Sequence, residues 1–229
     1  MSSRVAAQAT VLFKGGMTYM QSASKQIQCP MDGVPEIAFS GRSNVGKSSL
    51  INALSKTDAK TGALVSKTPG RTQKINFFAI GNTLRLVDLP GYGFAKAPSN
   101  KREHWNKATE EFLMQRNPQV LKMVYVLLDS RRGLLEIDVQ WMDMLQHGDV
   151  DFKLCFTKTD KVNQTQLDAC VNGGIAQLSL ISGRTSPHDE DIASRVLTCS
   201  SHLPKTLIHL KESIYKDFVS LRELPEESE

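Results

Sequence analysis

Gly41-Arg42-Ser43-Asn44-Val45-Gly46-Lys47-Ser48 satisfies the pattern G-x-x-x-x-G-K-[ST] at every constrained position. It stands between an apolar run at 36–40 and a helical pattern at 47–56, the strand-to-helix context in which that pattern has physical meaning. The glycines free the backbone to turn its N–H groups onto phosphate oxygens, and the helix that follows adds a positive N-terminal end. Lys47 supplies a point charge for the outer two phosphates of a nucleoside triphosphate. Ser48 offers a hydroxyl to Mg2+, a hard cation that takes oxygen ligands and bridges phosphates. A glycine-bearing turn with a chance Lys-Ser pair is the competing reading, and the agreement of strand, motif and helix weighs against it.

A phosphate loop does not distinguish adenine from guanine. That choice falls to Thr157-Lys158-Thr159-Asp160, which follows an apolar run and so belongs to the carboxyl edge of the sheet, where α/β folds bind ligands. A carboxylate there accepts hydrogen bonds from the ring N–H and the exocyclic amine of guanine. Adenine has no matching donor pair, and a buried acceptor left unpaired rejects it. The tetrapeptide is similar to N-K-x-D with Thr157 in the Asn position, and the stem of Lys158 would lie along the base. Taken alone, it also suits a helix-initiating turn capped by Asp160.

Three further stretches complete the set. Asp88-Leu89-Pro90-Gly91 fits D-x-x-G, in which the carboxylate reaches Mg2+ through water and the glycine N–H meets the γ-phosphate; an ordinary strand-ending turn competes. The polar loop Lys67-Thr68-Pro69-Gly70-Arg71-Thr72-Gln73 offers Thr72, with Thr68 as the alternative, as a second hydroxyl for Mg2+. Cys199-Ser200-Ser201 closes the last apolar run, where small residues let backbone amides approach guanine O6; an N-cap role for either serine competes. Phosphate loop, threonine loop, D-x-x-G, [NT]-K-x-D and Ser-Ser, in that order at strand-to-helix transitions, are what a GTP switch requires. A P-loop ATPase or kinase is disfavoured by Asp160.

In GTP switches a Gln just after D-x-x-G orients the attacking water. Here Tyr92 holds that place, which predicts slow intrinsic hydrolysis completed by a partner, or a scaffold that uses GTP only to fold. The loop 91–98, with Gly, Ala, Lys and Pro, suits an element that orders around a γ-phosphate and relaxes after its loss. Charge is uneven: residues 41–107 carry a net +9, against +1 for 1–40 and −6 for 108–229. Arg42, Lys56, Lys60, Lys67, Arg71, Lys74, Arg85, Lys96, Lys101, Arg102 and Lys107 make an anion-seeking segment whose partner is either an RNA backbone or plain solvent.

Behind these residues stands a chain of 229 residues, 40% apolar and 23% charged, which is a globular composition. Strands are expected at 36–40, 75–80, 84–88, 123–129, 152–157 and 195–199, and helices at 47–56, 103–116, 136–146 and 205–221. A weaker helix at 164–181 is interrupted by Gly173-Gly174, and 182–191 reads as a loop. This alternation predicts an α/β fold, a mostly parallel sheet with helices on both faces, and the Gly81-Asn82-Thr83 turn predicts one antiparallel strand at an edge. The longest apolar stretches, such as 123–128, fall far below the ~18 residues a membrane helix needs. Four scattered cysteines without C-x-x-C spacing favour a reducing compartment. Residues 1–33 read as an extension packing through Val11, Leu12, Phe13, Tyr19 and Met20, 34–222 as the nucleotide-binding domain, and 223–229 as an acidic tail. The acid-poor start also matches an organelle transit peptide, so a bacterial cytoplasm and a mitochondrion or plastid both stay open.

The stretches 41–49, 66–73 with Ile75-Asn76-Phe77, 88–95 and 157–161 resemble the EngB family of GTP-binding proteins. The resemblance covers roughly 35–218, and its Pro-Gly-Arg-Thr-Gln and Asp-Leu-Pro-Gly-Tyr-Gly segments are specific. It implies a Ras-like P-loop fold, Mg2+-dependent binding of GTP and GDP, and a weak GTPase acting in maturation of the large ribosomal subunit through that subunit or its rRNA. It also implies a need in cell division and septation, and a monomer that does not enter membranes. Carried over by position, nucleotide contacts fall on Gly41, Arg42, Ser43, Asn44, Val45, Gly46, Lys47 and Ser48; on Gly70, Arg71, Thr72, Gln73 and Lys74; and on Asp88, Leu89, Pro90 and Gly91. They continue on Thr157, Lys158, Thr159 and Asp160 and on Cys199, Ser200 and Ser201. Lys47 and Thr72 would act in catalysis, with Ser48 and Thr72 on the metal. The stretch His202-Leu203-Pro204-Lys205-Thr206 departs from the family's turn after Ser-Ser.

Overall fold

In a strand that is apolar at successive positions the side chains point alternately to the two faces of the sheet, so both faces must be buried and each needs its own helical cover. The computed structural model describes residues 2–55, 74–93, 99–183 and 190–219. Its strands are β1 (Thr18–Ala23), β2 (Glu36–Gly41), β3 (Ile75–Ile80), β4 (Leu84–Asp88), β5 (Leu121–Asp129), β6 (Phe152–Thr157) and β7 (Val196–Thr198). They form one seven-stranded sheet in the order β1-β3-β4-β2-β5-β6-β7. Strands β4, β2, β5, β6 and β7 are mutually parallel, while β3 is antiparallel to β4 and to β1, so the antiparallel pairing sits at one edge as expected.

The helices are α1 (Ser2–Lys14), α2 (Lys47–Ser55), α3 (Ser99–Gln115), α4 (Glu136–His147), α5 (Gln164–Ile181), α6 (Glu190–Ser194) and α7 (Pro204–Val219). Alternation along the central strands sorts the core. Ala38, Val124, Val126 and Leu128 join Phe112, Met142, Leu145 and Leu178 of α3, α4 and α5 on one face. Ile37, Phe39, Tyr125 and Leu127 join Phe13, Leu50, Leu54 and Leu210 of α1, α2 and α7 on the other. Among the described residues no helix is long and apolar enough to cross a membrane.

Several elements differ from expectation. The first 23 residues supply a helix and the outermost strand; Phe13 is buried, whereas Val11, Tyr19 and Met20 are exposed. Helix α5 runs unbroken through Gly173-Gly174, because Gly174 lets Phe156 approach: a Cβ there would lie 3.1 Å from its ring. Part of the expected loop at 182–191 is helical from Glu190 onward, and residues 184–189 and the acidic tail lie outside the described residues.

Arg85 is not part of a basic surface. It is buried and pairs with Asp32 and, at 3.7 Å, with Glu36. The Glu36 carboxylate, at the start of β2, is also held by Arg116 at 2.5 and 2.8 Å. A buried carboxylate must be met by cations, and Arg85 is consumed in that duty.

Candidate functional site

The phosphate-loop motif occupies the turn from β2 into α2. Gly41 lies beside β5 so closely that a Cβ there would sit 2.8 Å from the Leu127 carbonyl oxygen and 2.9 Å from the Val45 side chain. Past it, Asn44 (φ 64) and Gly46 (φ 104) have positive φ, the backbone of a loop that can turn successive N–H groups inward as an anion cradle. The Val45 N–H donates to the Arg42 carbonyl at 3.2 Å, and Leu50 N–H to Gly46 O at 2.9 Å starts α2.

Strand β4 neighbours β2 and delivers Asp88 to the same end. The Lys47 ammonium rests on the Asp88 carboxylate, and the Ser48 hydroxyl lies 3.4 Å from its second oxygen. Leu89 and Tyr92 donate their N–H groups to Phe39 O and Gly41 O, which fixes Pro90 and Gly91 against the loop; a Cβ at Gly91 would stand 3.1 Å from Ser43 N. One hydroxyl facing one carboxylate suits Mg2+, which keeps waters and phosphate oxygens in its shell. Among the described residues no group of three or more His, Cys, Asp or Glu offers an all-protein metal cage.

The end of β6 brings the second group. Thr157 is buried, and its hydroxyl donates to Val45 O at 2.7 Å, tying the base-side turn to the phosphate loop. Lys158 adopts left-handed backbone (φ 60); its stem crosses Gly46, and its ammonium donates to Asn44 O at 2.6 Å and Asp129 at 2.8 Å. Asp160 accepts from the Ser200 hydroxyl at 2.6 Å and pairs with Lys161 at 3.1 Å. The Ser200 hydrogen bond, reinforced by Lys161, holds the Asp160 carboxyl below the usual carboxylate range, so it is ionised at neutral pH.

The turn after β7 is closed by Thr206, whose hydroxyl accepts from Ser200 N–H at 2.9 Å. Thr159 N–H reaches the Cys199 carbonyl at 3.4 Å, whereas the Cys199 thiol points into the core, 3.3 Å from that of Cys155. Between these turns and the loop lies a cleft of about 170 Å3, lined by Gly46, Thr157, Lys158, Asp160, Ser201 and His202 among others.

The structure thus gathers residues 41–48, 88–91, 157–160 and 199–201 at one end of the sheet. Lys74 is exposed just before β3 and is not hydrogen-bonded to this group; Gly70, Arg71, Thr72, Gln73 and Thr68 lie outside the described residues, as does the loop 94–98. Arg42 turns its guanidinium to Asp138, 3.1 Å away, and to Gly133 O. Tyr92 points inward: its ring stacks on Trp141 with centroids 4.7 Å apart, and its hydroxyl donates to Asp138 at 2.9 Å. Burial and the Asp138 carboxylate push the Tyr92 phenol well above its ordinary value, so it stays a donor.

Sequence reasoning missed Asp129 and Arg131. The available signal was Asp129-Ser130-Arg131-Arg132-Gly133 at the carboxyl end of a mostly apolar strand, where charged residues meet ligands. Arg131 clamps Asp129 at 2.7 and 2.9 Å while Lys158 takes the same carboxylate. Burial alone would raise the Asp129 carboxyl, but these hydrogen bonds outweigh it and hold it far down.

Sheet order, phosphate loop and the converging Asp88 and Asp160 turns define a P-loop GTPase domain. A family model described as 50S ribosome-binding GTPase matches residues 36–158. The probable GTP-binding protein EngB of Cereibacter sphaeroides is 38% identical over 190 residues, 83% of this chain and 82% of that one. Its counterpart in Solibacter usitatus is 45% identical over 172 residues, 72% of this chain and 88% of that one. The chain belongs to the EngB family of GTP-binding proteins. Among solved structures, a probable GTP-binding protein engB has a TM-score of 0.63 at 24% identity, covering 81% of this chain and 99% of that one. Toc33 from Arabidopsis thaliana in complex with GDP and Mg2+ has a TM-score of 0.62 at 16% identity, over 95% and 93% of the two chains, a likeness of fold.

Proposed function

We propose that the protein is a Mg2+-dependent GTP switch with slow intrinsic hydrolysis, acting in assembly of the large ribosomal subunit and, through it, in cell division. The observation that carries the switch reading is the meeting of a phosphate cradle with an ionised, Ser200-oriented Asp160 across one cleft. In this reading the backbone of 41–48 holds the phosphates, Lys47 neutralises the outer two, and Asp160 reads guanine. Ser48 and Thr72 would hold Mg2+ through their hydroxyls, and 70–74 and 88–91 contact the nucleotide. When bound, Mg2+ would supply neutralisation of phosphate charge.

Slow hydrolysis is supported by Tyr92, whose buried ring offers nothing to orient an attacking water. Turnover on the order of 10 s−1 by the isolated protein would contradict it. The ribosomal role is supported by the family description. It places a monomer in the bacterial cytoplasm, with a mitochondrion or plastid as the alternative, and with 34–222 as the working domain between the 1–33 extension and the 223–229 tail.

The test is sedimentation with isolated large ribosomal subunits in GDP and in a non-hydrolysable GTP analogue. Association that differs between the two nucleotides is expected; equal association removes the switch. The second reading, a scaffold stabilised by GTP, is favoured by the same Tyr92. Release of phosphate accelerated by added subunits decides against it.

A further inference from the structure

A second cleft, of about 360 Å3, adjoins the base-side cleft at Val45 and Arg131. Its volume lies in the ~300–1,000 Å3 range of small-ligand sites. It is lined by the phosphate loop at 42–45, by Gly93, and by Arg131 and Arg132. Leu135 and Ile137, at the start of α4, give it an apolar side; they are 40% and 38% exposed.

The charges around this cleft do not cancel. Asp138 meets Arg42, and Asp129 is shared between Arg131 and Lys158. Two carboxylates thus serve three cations, and Arg132 adds a fourth: it is exposed, with no side-chain hydrogen bond or ion pair among the described residues. Glu136, exposed in the first turn of α4, stands outside the lining as Asp138 and Lys158 do; counted with them, it leaves three carboxylates against four cations.

We propose that this cleft is the RNA-contact site, receiving one unstacked nucleotide of ribosomal RNA with its phosphate on Arg132, beside the Asp129-clamped Arg131, and its base against Leu135 and Ile137. The inference rests on the ribosomal reading above and gives it an address. Guanidinium groups grip phosphate through paired N–H donors, and RNA is recognised chiefly through splayed nucleotides whose bases find apolar or planar partners. An excess of cations beside an exposed apolar wall answers both halves of such a nucleotide. Because 42–45 and Gly93 line the cleft, an RNA seated here touches the loop that holds the phosphates, so its affinity depends on the nucleotide bound.

The experiment uses the full chain and its Arg132→Glu and Arg132→Lys variants. It measures sedimentation with isolated bacterial large subunits, competition by rRNA purified from them, a salt titration, and binding of a fluorescent GDP. Arg132→Glu is expected to weaken subunit binding at least tenfold and to reduce the slope of log affinity against log salt by about one. Arg132→Lys should retain most of the binding, free rRNA should compete, and GDP affinity should stay within twofold.

If the unaltered chain binds subunits and Arg132→Glu binds equally with the same slope, the cleft assignment is overturned while the ribosomal reading stands. If the unaltered chain binds subunits in neither nucleotide state, the ribosomal reading fails and takes this one with it. Loss of subunit binding without competition by free rRNA makes the partner a ribosomal protein and overturns the RNA assignment. A parallel loss of GDP affinity makes the cleft part of the nucleotide site, which also overturns it.

Discussion

The Lys158 ammonium lies 2.8 Å from Asp129 Oδ2, and the same nitrogen reaches Asn44 O at 2.6 Å. Three segments far apart in sequence, the phosphate loop, the end of β5 and the base-side turn after β6, are therefore clasped by one side chain. Lys158 is held over Gly46 in a left-handed conformation that a non-glycine residue adopts only when its surroundings over-determine it. Asp129 supplies that determination.

Asp129→Ala should accordingly weaken GDP binding about tenfold, or roughly 1.4 kcal/mol. Lys158→Ala should do the same, and the double variant should lose little more than either. Titration calorimetry on the four proteins gives the coupling directly, and contacting residues typically show about 0.5–3 kcal/mol. Fully additive losses would mean that the two side chains act separately.

Acid should undo this clasp in a defined direction. Arg131 and Lys158 hold the Asp129 carboxyl down against its burial, and Ser200 and Lys161 hold down that of Asp160. A carboxyl lowered in the folded chain adds stability that is complete above its unfolded value, about 3.9, and disappears as pH falls through the folded value. The urea midpoint should therefore fall from pH 5 to pH 3, and the gap between the unaltered chain and Asp129→Asn should narrow over that range. A gap that widens on acidification contradicts the assignment.

Glycine positions give a paired prediction. Gly41→Ala places a Cβ against the Leu127 carbonyl, which is backbone and cannot step aside, so stability should drop by about 1–3 kcal/mol and GDP affinity should collapse. Gly173→Ala, with nothing within 4 Å of the added carbon, should raise stability by about 0.5–1 kcal/mol by favouring the helical backbone of α5. Chemical denaturation of both variants checks this; a stabilised Gly41→Ala would show that the loop is looser than its contacts imply.

The parts of this fold that were legible in the sequence are those whose periodicity matches their burial. β2, β4 and β5 are mostly apolar runs covered on both faces, and the turn chemistry after β2 and β4 is carried by Gly, Asp or Ser at fixed spacing. Strand β1 was not legible: Thr18-Tyr19-Met20-Gln21-Ser22-Ala23 is mostly exposed and belongs to the sheet through its backbone ladder with β3, which leaves no pattern in side chains. Arg85 and Arg42 looked like surface charge because their partners, Glu36 with Asp32 and Asp138, are distant in sequence or across the sheet. Asp129 escaped for a related reason: Arg131 is two residues away, but Lys158, which ties the carboxylate to the base-side turn, meets it only once β5 and β6 lie side by side.

Asp160→Asn should exchange guanine for xanthine preference. The Ser200 hydroxyl donates to one carboxylate oxygen and would keep an amide oxygen in that place, leaving the amide N–H2 to face the base. Guanine then loses its acceptor, whereas xanthine presents a carbonyl at position 2 to the new donor. Competition of fluorescent GDP by XDP should show GDP weakened by at least about a hundredfold and XDP strengthened. An unchanged order of the two ligands would remove Asp160 from base recognition.

Tyr92 links the loop after β4 to α4, and its orientation decides what substitution there can achieve. Its ring lies on Trp141, whose indole N–H donates to Ser40 Oγ at 3.1 Å, and its hydroxyl shares Asp138 with Arg42. Tyr92→Phe removes a buried hydrogen bond to a charged group and should cost about 1.5–3 kcal/mol in urea unfolding while sparing GDP affinity. Tyr92→Gln, which restores the side chain that many GTP switches use to orient water, should not accelerate phosphate release by more than about threefold, because position 92 faces the core rather than the nucleotide. It should instead destabilise the domain by about 3–5 kcal/mol, as deletion of a buried ring does. A tenfold gain in hydrolysis by Tyr92→Gln would show that this segment turns outward when GTP is bound, and that the inward lock described here belongs to one state of the switch.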